Sequence, residues 1–587
     1  MRAVFVPWLT LAALALPAAA QKPTAGKKPA NTPATAPAAP AEAAPADPVL
    51  AGDVTALRTW LQDYRVGAAR FVKDGVVDDA AVATLDQRMQ KVAQWNTLPA
   101  AQLLFELATV EPKPGGGAKA GGGDSAVELV DFQRELQPWR VQAMANQHLR
   151  TMTGDGILPW LLGKLATPGL RAQTKNKDQV EAAATLRVLG GHPSIEAQLE
   201  LMKACRSMPT ELRVQAVNAM AKDPTLDLVP TLVELLKDAE PNVRIAAANA
   251  IGAALAPHVD ETLGKKPDAA VAKTQAEANA RLEELLVRDQ TWQVRSAAAF
   301  GLATQKCKSV IPQLIKGLEA ELARKKDPWA MDVRLHKILE GLTGQSVARG
   351  GIEPWKQFWA KEGASFAVRT LADQKAQKPK ESRYAKFFDL EVESDRVLFV
   401  VDFSGSMAEP ATITGATTNA QPTATGTKAQ LVVQELKRMI MSLPDGALIN
   451  LVVFSDTVRI WRQEGGRPAL VKLDDTARDD LLGNFLDTLR PNGATNLYDA
   501  LNSALDFGGR GLHDKYYAAG FDTLYVISDG APTVGEVVDK EEIRRRVRET
   551  NRLRRIAIHC VTFGNKNDTD FLGPLAEENG GRHIHVE

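Results

Sequence analysis

An apolar run from Val397 to Val401 ends at Asp402, and hydroxyls follow two and four residues on, at Ser404 and Ser406. A buried strand that opens into a polar loop has this pattern. Two other stretches carry donors of the same kind: Asn492-Gly493-Ala494-Thr495-Asn496 at the entrance of a helical pattern, and Ser528-Asp529-Gly530 directly after the apolar run Leu524 to Ile527. Carboxylates, hydroxyls and water suit a small hard cation such as Mg2+, which takes six oxygens near octahedral positions and keeps some of its waters.

To act together, these stretches must be brought to one edge. From Asp395 to Glu587 strand and helix patterns alternate: strand 397–401, helix 428–443, a strand within 448–460, helices 476–489 and 497–507, strand 524–527, helix 541–555, strand 556–562, helix 571–579 and a closing strand 582–587. Such alternation builds a mostly parallel sheet with helices on both faces, and ligands of such sheets bind beyond the carboxyl ends of the strands. All three donor stretches fall at carboxyl-side loops.

The middle of the chain repeats itself. The segments beginning near 178, 211, 241, 292 and 331 align on Glu181, Arg213, Arg244, Arg295 and Arg334, which are 32, 31, 51 and 39 residues apart. That period belongs to helical solenoids, in which each helix pair covers the face its neighbour cannot bury alone. In Pro241 to Leu255 the proline suits a first helical turn, and Val243, Ala246, Ala247, Ala250 and Ile251 form a small-residue face for another helix. Recurrence from unit to unit predicts that the arginines pair with acidic residues of adjacent turns, such as Asp238 or Asp289, and hold the units in register. Trp355, Phe358 and Trp359 are expected to cap the array.

At the other end, Met1 to Ala20 has one early basic residue, a short apolar core and small residues before Gln21, which predicts a cleavable secretory signal and a periplasmic or extracellular location. Residues 21–48 collapse to Ala, Pro, Thr and Lys and are expected to be a disordered tether. The remaining expected divisions are a helical region of divergent repeats at 49–177, the array and its cap at 178–360, a connecting arm at 361–394, and the α/β domain at 395–587.

Composition narrows the function. The 587 residues are 45% hydrophobic and 24% charged, with 71 basic and 71 acidic side chains, so no general attraction draws the chain to nucleic acid or anionic membrane. Cys205, Cys307 and Cys560 are too few and too far apart for a disulfide framework or a thiolate metal site. No metalloprotease, nucleophile-elbow or phosphate-loop pattern occurs, which leaves catalysis without a visible constellation. His583 and His585 share one face of the closing strand and read as a satisfied pair, and Met407 as packing. The arginines of EEIRRRVRETNRLRR, with Ile543 and Val547 inward, read as a solvated helix face.

Two resemblances join these observations. The Val-Arg-containing second helices at 243–244, 294–295 and 333–334 resemble HEAT repeats over about 178–345. The segment 395–587, with VDFSGSM, GATNLYDAL and ISDGAPTVG, resembles a von Willebrand factor A (VWA) domain with a metal-ion-dependent adhesion site (MIDAS). That likeness implies a doubly wound, Rossmann-like domain after an α-helical HEAT-like solenoid. It implies metal ligation by Asp402, Ser404, Ser406, Thr495 and Asp529, the two aspartates acting partly through water. Mg2+ is the expected cation, with Mn2+ or Ca2+ as alternatives. A protein partner would supply an Asp or Glu to the metal, a second protein would meet the repeats, and nucleic acid is not expected. The chain is then expected to be a non-enzymatic exported scaffold. The alternatives are an accessory subunit of an ATPase or chaperone-type assembly, and a metal site that only steadies its loops. The polar insertion at 411–427 departs from the usual pattern and is expected beside the metal.

Overall fold

The computed structural model describes residues 48–586 apart from 66–71, 74–75, 78, 111–137, 172–175, 223, 325–330, 346–350, 369–385, 389, 393, 415–422, 465–466, 506–519, 536 and 564–568. The expected signal, all but the last residue of the tether, and residues 369–385 of the expected arm lie outside the described residues. So does the glycine-rich break at 112–124.

Among the described residues from Pro48 to Glu362 the elements are helices, apart from the short antiparallel pair Val72–Lys73 and Val76–Val77. Those between Pro48 and Gly163 enclose a core built on Leu57, Met89, Leu104 and Leu149. A second core runs without interruption from Leu170 to Trp355. The helix Lys177–Leu189 joins the two, contributing Ala184 and Val188 to the first and Ala182, Leu186 and Leu189 to the second. A helix apolar on several faces belongs between layers, and this one makes the helical region continuous with the array.

Within the array the residues Val243, Ala246, Ala247, Ala250 and Ile251 are all buried. Helix Pro241–Val259 is also buried at Ile245, Ala248 and Ala254, because helices Thr210–Met220, Val229–Leu235 and Trp292–Ala303 all pack against it. Its approach to Trp292–Ala303 needs glycine: a Cβ on Gly301 would stand 2.5 Å from the carbonyl oxygen of Ala248. Three of the repeated arginines bind the following unit. Arg213 pairs with Asp238 at 2.9 Å, Arg244 with both carboxylate oxygens of Asp289 at 2.9 and 3.1 Å, and Arg295 with Glu321 at 2.6 Å. Trp355 ends the core, fully buried, with Nε1 donating to His336 Nδ1 at 2.9 Å, and Phe358 meets its ring edge-on at 6.1 Å.

The C-terminal domain is a seven-stranded mixed sheet. Its strands are β1 Arg396–Asp402, β4 Leu448–Phe454, β5 Val458–Ile460, β6 Val471–Lys472, β7 Thr523–Ser528, β8 Ala557–Phe563 and β9 His583–Val586; β2 Pro410–Thr414 and β3 Thr423–Thr427 form a separate hairpin. The order is β6-β4-β1-β7-β8-β9, with β5 also on β4; the five long-range neighbours β4, β1, β7, β8 and β9 run parallel, and β5 and β6 are antiparallel to β4. Alternation along β1 separates two cores. Val397, Phe399 and Val401 face helix Lys428–Ser442, and Leu398 and Val400 face helices Leu497–Leu505, Lys540–Arg554 and Thr569–Glu578. The helix expected over 476–489 begins at Asp475–Asp479 and then winds wider through Asp480–Phe485, where Asp480 Oδ2 accepts from Trp461 Nε1 at 2.7 Å.

The fourth repeated arginine leaves the pattern. Arg334 donates to the carbonyls of Arg555 at 2.6 Å and Asp522 at 2.8 Å, with its guanidinium over the Trp292 ring. Both carbonyls precede strands, β8 and β7, so the array grips the amino ends of the sheet. Seven-residue strands place the opposite edge about 20 Å away. Arg140 adds ion pairs to Asp539 and Glu541 at the start of Lys540–Arg554, and Arg555 donates to Asn249 with its guanidinium over Phe300. The arginine-rich helix is therefore less solvated than its sequence pattern predicts. Ile543 and Val547 are buried as expected, but Arg545 and Arg546 bind the buried Glu542, and Arg544 binds Glu578.

Across β1, β7 and β8 the rings of Phe399, Tyr525 and His559 stack with centroids 5.3 and 4.9 Å apart. Burial, aided by Lys337, Arg582 and Arg334, pulls the His559 pKa from 6.5 to about 3. In the unfolded chain this imidazole binds a proton below 6.5 that the fold refuses, so stability is present above that pH and is lost as pH falls. The loss expected from this group is about 2 kcal/mol at pH 5. Thermal unfolding at pH 7.5 and 5 checks it: His559→Phe, which keeps a ring and cannot titrate, should flatten the pH slope, and an unchanged slope would refute the assignment.

Candidate functional site

Asp402 closes β1 with no solvent exposure. Its Oδ1 accepts from the Ser404 amide at 2.7 Å and its Oδ2 from Ser528 Oγ at 2.5 Å. Burial raises its pKa to about 6 against the opposing effect of these hydrogen bonds, and Asp529 adds to the rise. An anion held out of water beside a second anion is a place where a cation is favoured. Ser404 Oγ and Ser406 Oγ are 3.1 Å apart, and Ser406 Oγ donates to Asp529 Oδ1 at 2.8 Å. The first and third donor stretches are thus one hydrogen-bonded group at the carboxyl edge.

The second stretch is tied to the first through the backbone. Asn492 N donates to Phe403 O and Gly405 N to Gly493 O, both at 2.9 Å. Gly493 has φ of 70°, and a Cβ there would stand 2.7 Å from Asp456 Oδ1, so glycine is required for the approach. Thr495 is held by Thr533, whose hydroxyl accepts from the Thr495 amide at 2.9 Å and whose amide donates back to Thr495 O at 2.9 Å. Backbone bonds alone tie this stretch to the first loop: among the described residues the Thr495 side chain makes no hydrogen bond to Asp402, Ser404, Ser406 or Asp529.

The described arms of the expected insertion, β2 and β3, pair antiparallel, and both their site-side ends are rooted in the site. Glu409 N donates to Ser406 O, and Lys428 N donates to Glu409 O, each at 3.0 Å. The capping box between Thr427 and Gln430 starts helix Lys428–Ser442 at this point and fixes Lys428. Its Nζ lies 2.7 Å from Asp529 Oδ2 and 2.7 Å from Glu409 Oε2. Burial lowers the Lys428 pKa, but the two carboxylates outweigh it and the net shift is upward. Sequence reasoning missed Lys428 and Glu409, and it placed Ser528 in a donor stretch without its role of holding Asp402. The available signal was a cation at the first helical position after the insertion, which reads equally as an ordinary helix start.

Elsewhere Thr562 Oγ1 sits 2.9 Å from His583 Nε2 and 3.0 Å from His585 Nδ1, so the two histidines share one hydroxyl, but His585 Nε2 is buried without a hydrogen bond among the described residues and the pair is not fully satisfied as expected; Met407 is buried in the core.

Residues 421–584 match the family model of the von Willebrand factor type A domain, and residues 197–278 match that of HEAT repeats. The C-terminal domain is a VWA domain, and HEAT repeats carry it. The matched span includes Thr495 and Asp529 and begins after Asp402, Ser404 and Ser406. The chain is similar to inter-alpha-trypsin inhibitor heavy chain H1 of Sus scrofa, 27% identical over 203 residues that make up 34% of this chain and 20% of that one. It is also similar to heavy chain H6 of Homo sapiens, 26% identical over 188 residues, 32% of this chain and 12% of that one. The chain thus spans a fifth or less of these relatives' length. A solved von Willebrand factor type A structure from Catenulispora acidiphila is 18% identical, covering 34% of this chain and 40% of that one with a TM-score of 0.25. Among the described residues no helix is long and apolar enough to cross a membrane.

Proposed function

We propose that the carboxyl edge of the VWA domain holds a divalent cation, Mg2+ first and Mn2+ or Ca2+ as alternatives, on Asp402, Ser404, Ser406, Thr495 and Asp529. The observation that carries this is the spacing of the oxygens. Ser404 Oγ to Ser406 Oγ at 3.1 Å and Ser406 Oγ to Asp529 Oδ1 at 2.8 Å suit adjacent positions around an ion with metal–oxygen distances of about 2.1 Å, which lie about 3 Å apart. Among the described residues no group of three or more His, Cys, Asp or Glu side chains is placed to hold a metal. A cation here therefore depends on the hydroxyls, and only two carboxylates offset its charge. That balance leaves affinity for an outside anion, and a partner's Asp or Glu carboxylate is the natural ligand. The role is metal-bridged binding without turnover.

The attachment of the array to the amino ends of the strands supports presentation: the candidate site faces away from the Arg334 seam. The HEAT repeats supply a second protein surface, so the chain acts as a scaffold between partners. Its placement outside the cytoplasm rests on the sequence of residues 1–20.

Capture from an envelope extract in Mg2+ and in EDTA tests the bridge. Partners retained in Mg2+ should elute with EDTA, and capture indifferent to chelation would sink it.

A further inference from the structure

We propose that Lys428 is a built-in competitor for the cation, and that entry of the cation transfers its ammonium from Asp529 to Glu409. This rests on the metal-site reading above. Both oxygens of Asp529 are engaged, Oδ1 by Ser406 and Oδ2 by Lys428 Nζ. A divalent ion on the same donors places like charges a few ångströms apart in a partly buried setting, where Coulomb repulsion far exceeds thermal energy. One of the two cations must yield. Lys428 has somewhere to go, because Glu409 Oε2 is as near as Asp529 Oδ2, and the Glu409 side chain is 64% exposed against 0% for Asp529. The ammonium moves outward without losing its ion pair.

The same move reaches the hairpin. Glu409 immediately precedes β2 and Lys428 immediately follows β3, and their backbones are hydrogen-bonded. Shifting the Lys428 head from the buried carboxylate to Glu409 tightens the root of a hairpin that flanks the candidate ligand position. Occupancy of the site is thereby read by an element next to it.

The test uses Mn2+ as the probe, titrated calorimetrically and by electron paramagnetic resonance into the full chain and its variants. Lys428→Met should bind Mn2+ about tenfold more tightly or better, since the competing charge is gone. Glu409→Gln should bind several-fold more weakly, since Lys428 loses its alternative acceptor. A purely structural ion pair predicts the opposite for the lysine: equal or weaker binding once its removal disturbs the loops. If the wild type binds Mn2+ and Lys428→Met binds no better, the competition is refuted while the metal site stands. If neither binds, the metal-site reading falls with it. Should Lys428→Met fail to fold, Glu409→Gln decides alone, because it alters an exposed side chain, and affinity equal to wild type would overturn the proposal.

Discussion

Asp402→Asn is expected to lower the affinity of the chain for Mg2+ or Mn2+ by on the order of 100-fold, with the metal-free fold intact. The site has two carboxylates, so the substitution removes half of its fixed negative charge. The amide occupies the same volume, and its Oδ1 can still accept from the Ser404 amide. Its Nδ2 donates to Ser528 Oγ, whose proton is free to turn to Gly530 O, already 3.2 Å away. Because burial raises the Asp402 pKa to about 6, the ionised carboxylate at neutral pH is a burden on the metal-free fold, and a neutral isostere lifts it. Calorimetric titration with each cation measures the first effect and thermal unfolding without metal the second. Unchanged metal affinity would remove Asp402 from the site.

Glu321→Ala is expected to destabilise the array by about 3–5 kcal/mol, the range for removing one partner of a buried ion pair. The Arg295 side chain has 0% exposure and that of Glu321 3%, and they meet at 2.6 Å. With the carboxylate gone, the guanidinium keeps the Asp289 and Gln290 carbonyls and loses the carboxylate it meets at 2.6 Å, and its burial keeps water from replacing that charge. Arg213→Ala, by contrast, breaks a pair in which both side chains retain some solvent, 18% and 15%, and is expected to cost less. Urea unfolding of each variant, followed by far-UV circular dichroism, measures the difference. A Glu321→Ala midpoint matching wild type would show that Arg295 does not lock these units together.

Much of the architecture was legible in the residues. The alternation of β1, with 397, 399 and 401 on one core and 398 and 400 on the other, is a local property of a pleated strand. The small-residue face of Pro241–Val259 is equally local, and the arginine pairings with Asp238 and Asp289 followed from repetition, since a contact made between neighbouring units recurs with their period. Pattern reading was weaker where a segment has two sets of neighbours. The arginine-rich helix looks solvated from its own sequence, yet at one end it meets Arg140 and at the other Asn249 and Phe300.

For the candidate site the division is sharper. The sequence by itself determined which oxygens are present and that each follows a strand or precedes a helix, because those are properties of short stretches. Only the tertiary structure decided that Ser406 lies on Asp529, that Ser528 holds Asp402, and that Lys428 stands between Asp529 and Glu409. The same holds for Arg334, which shares the Val-Arg pattern of its predecessors, lies over Trp292 of the preceding repeat and reaches the VWA domain where they reach the following unit. The physical reason is common to all four. A periodic pattern reports which face of an element avoids water, whereas the partner of a charged or hydroxyl side chain is whichever group the packed chain brings within about 3 Å, and residues 19 to 221 positions apart leave no trace of that meeting in their order.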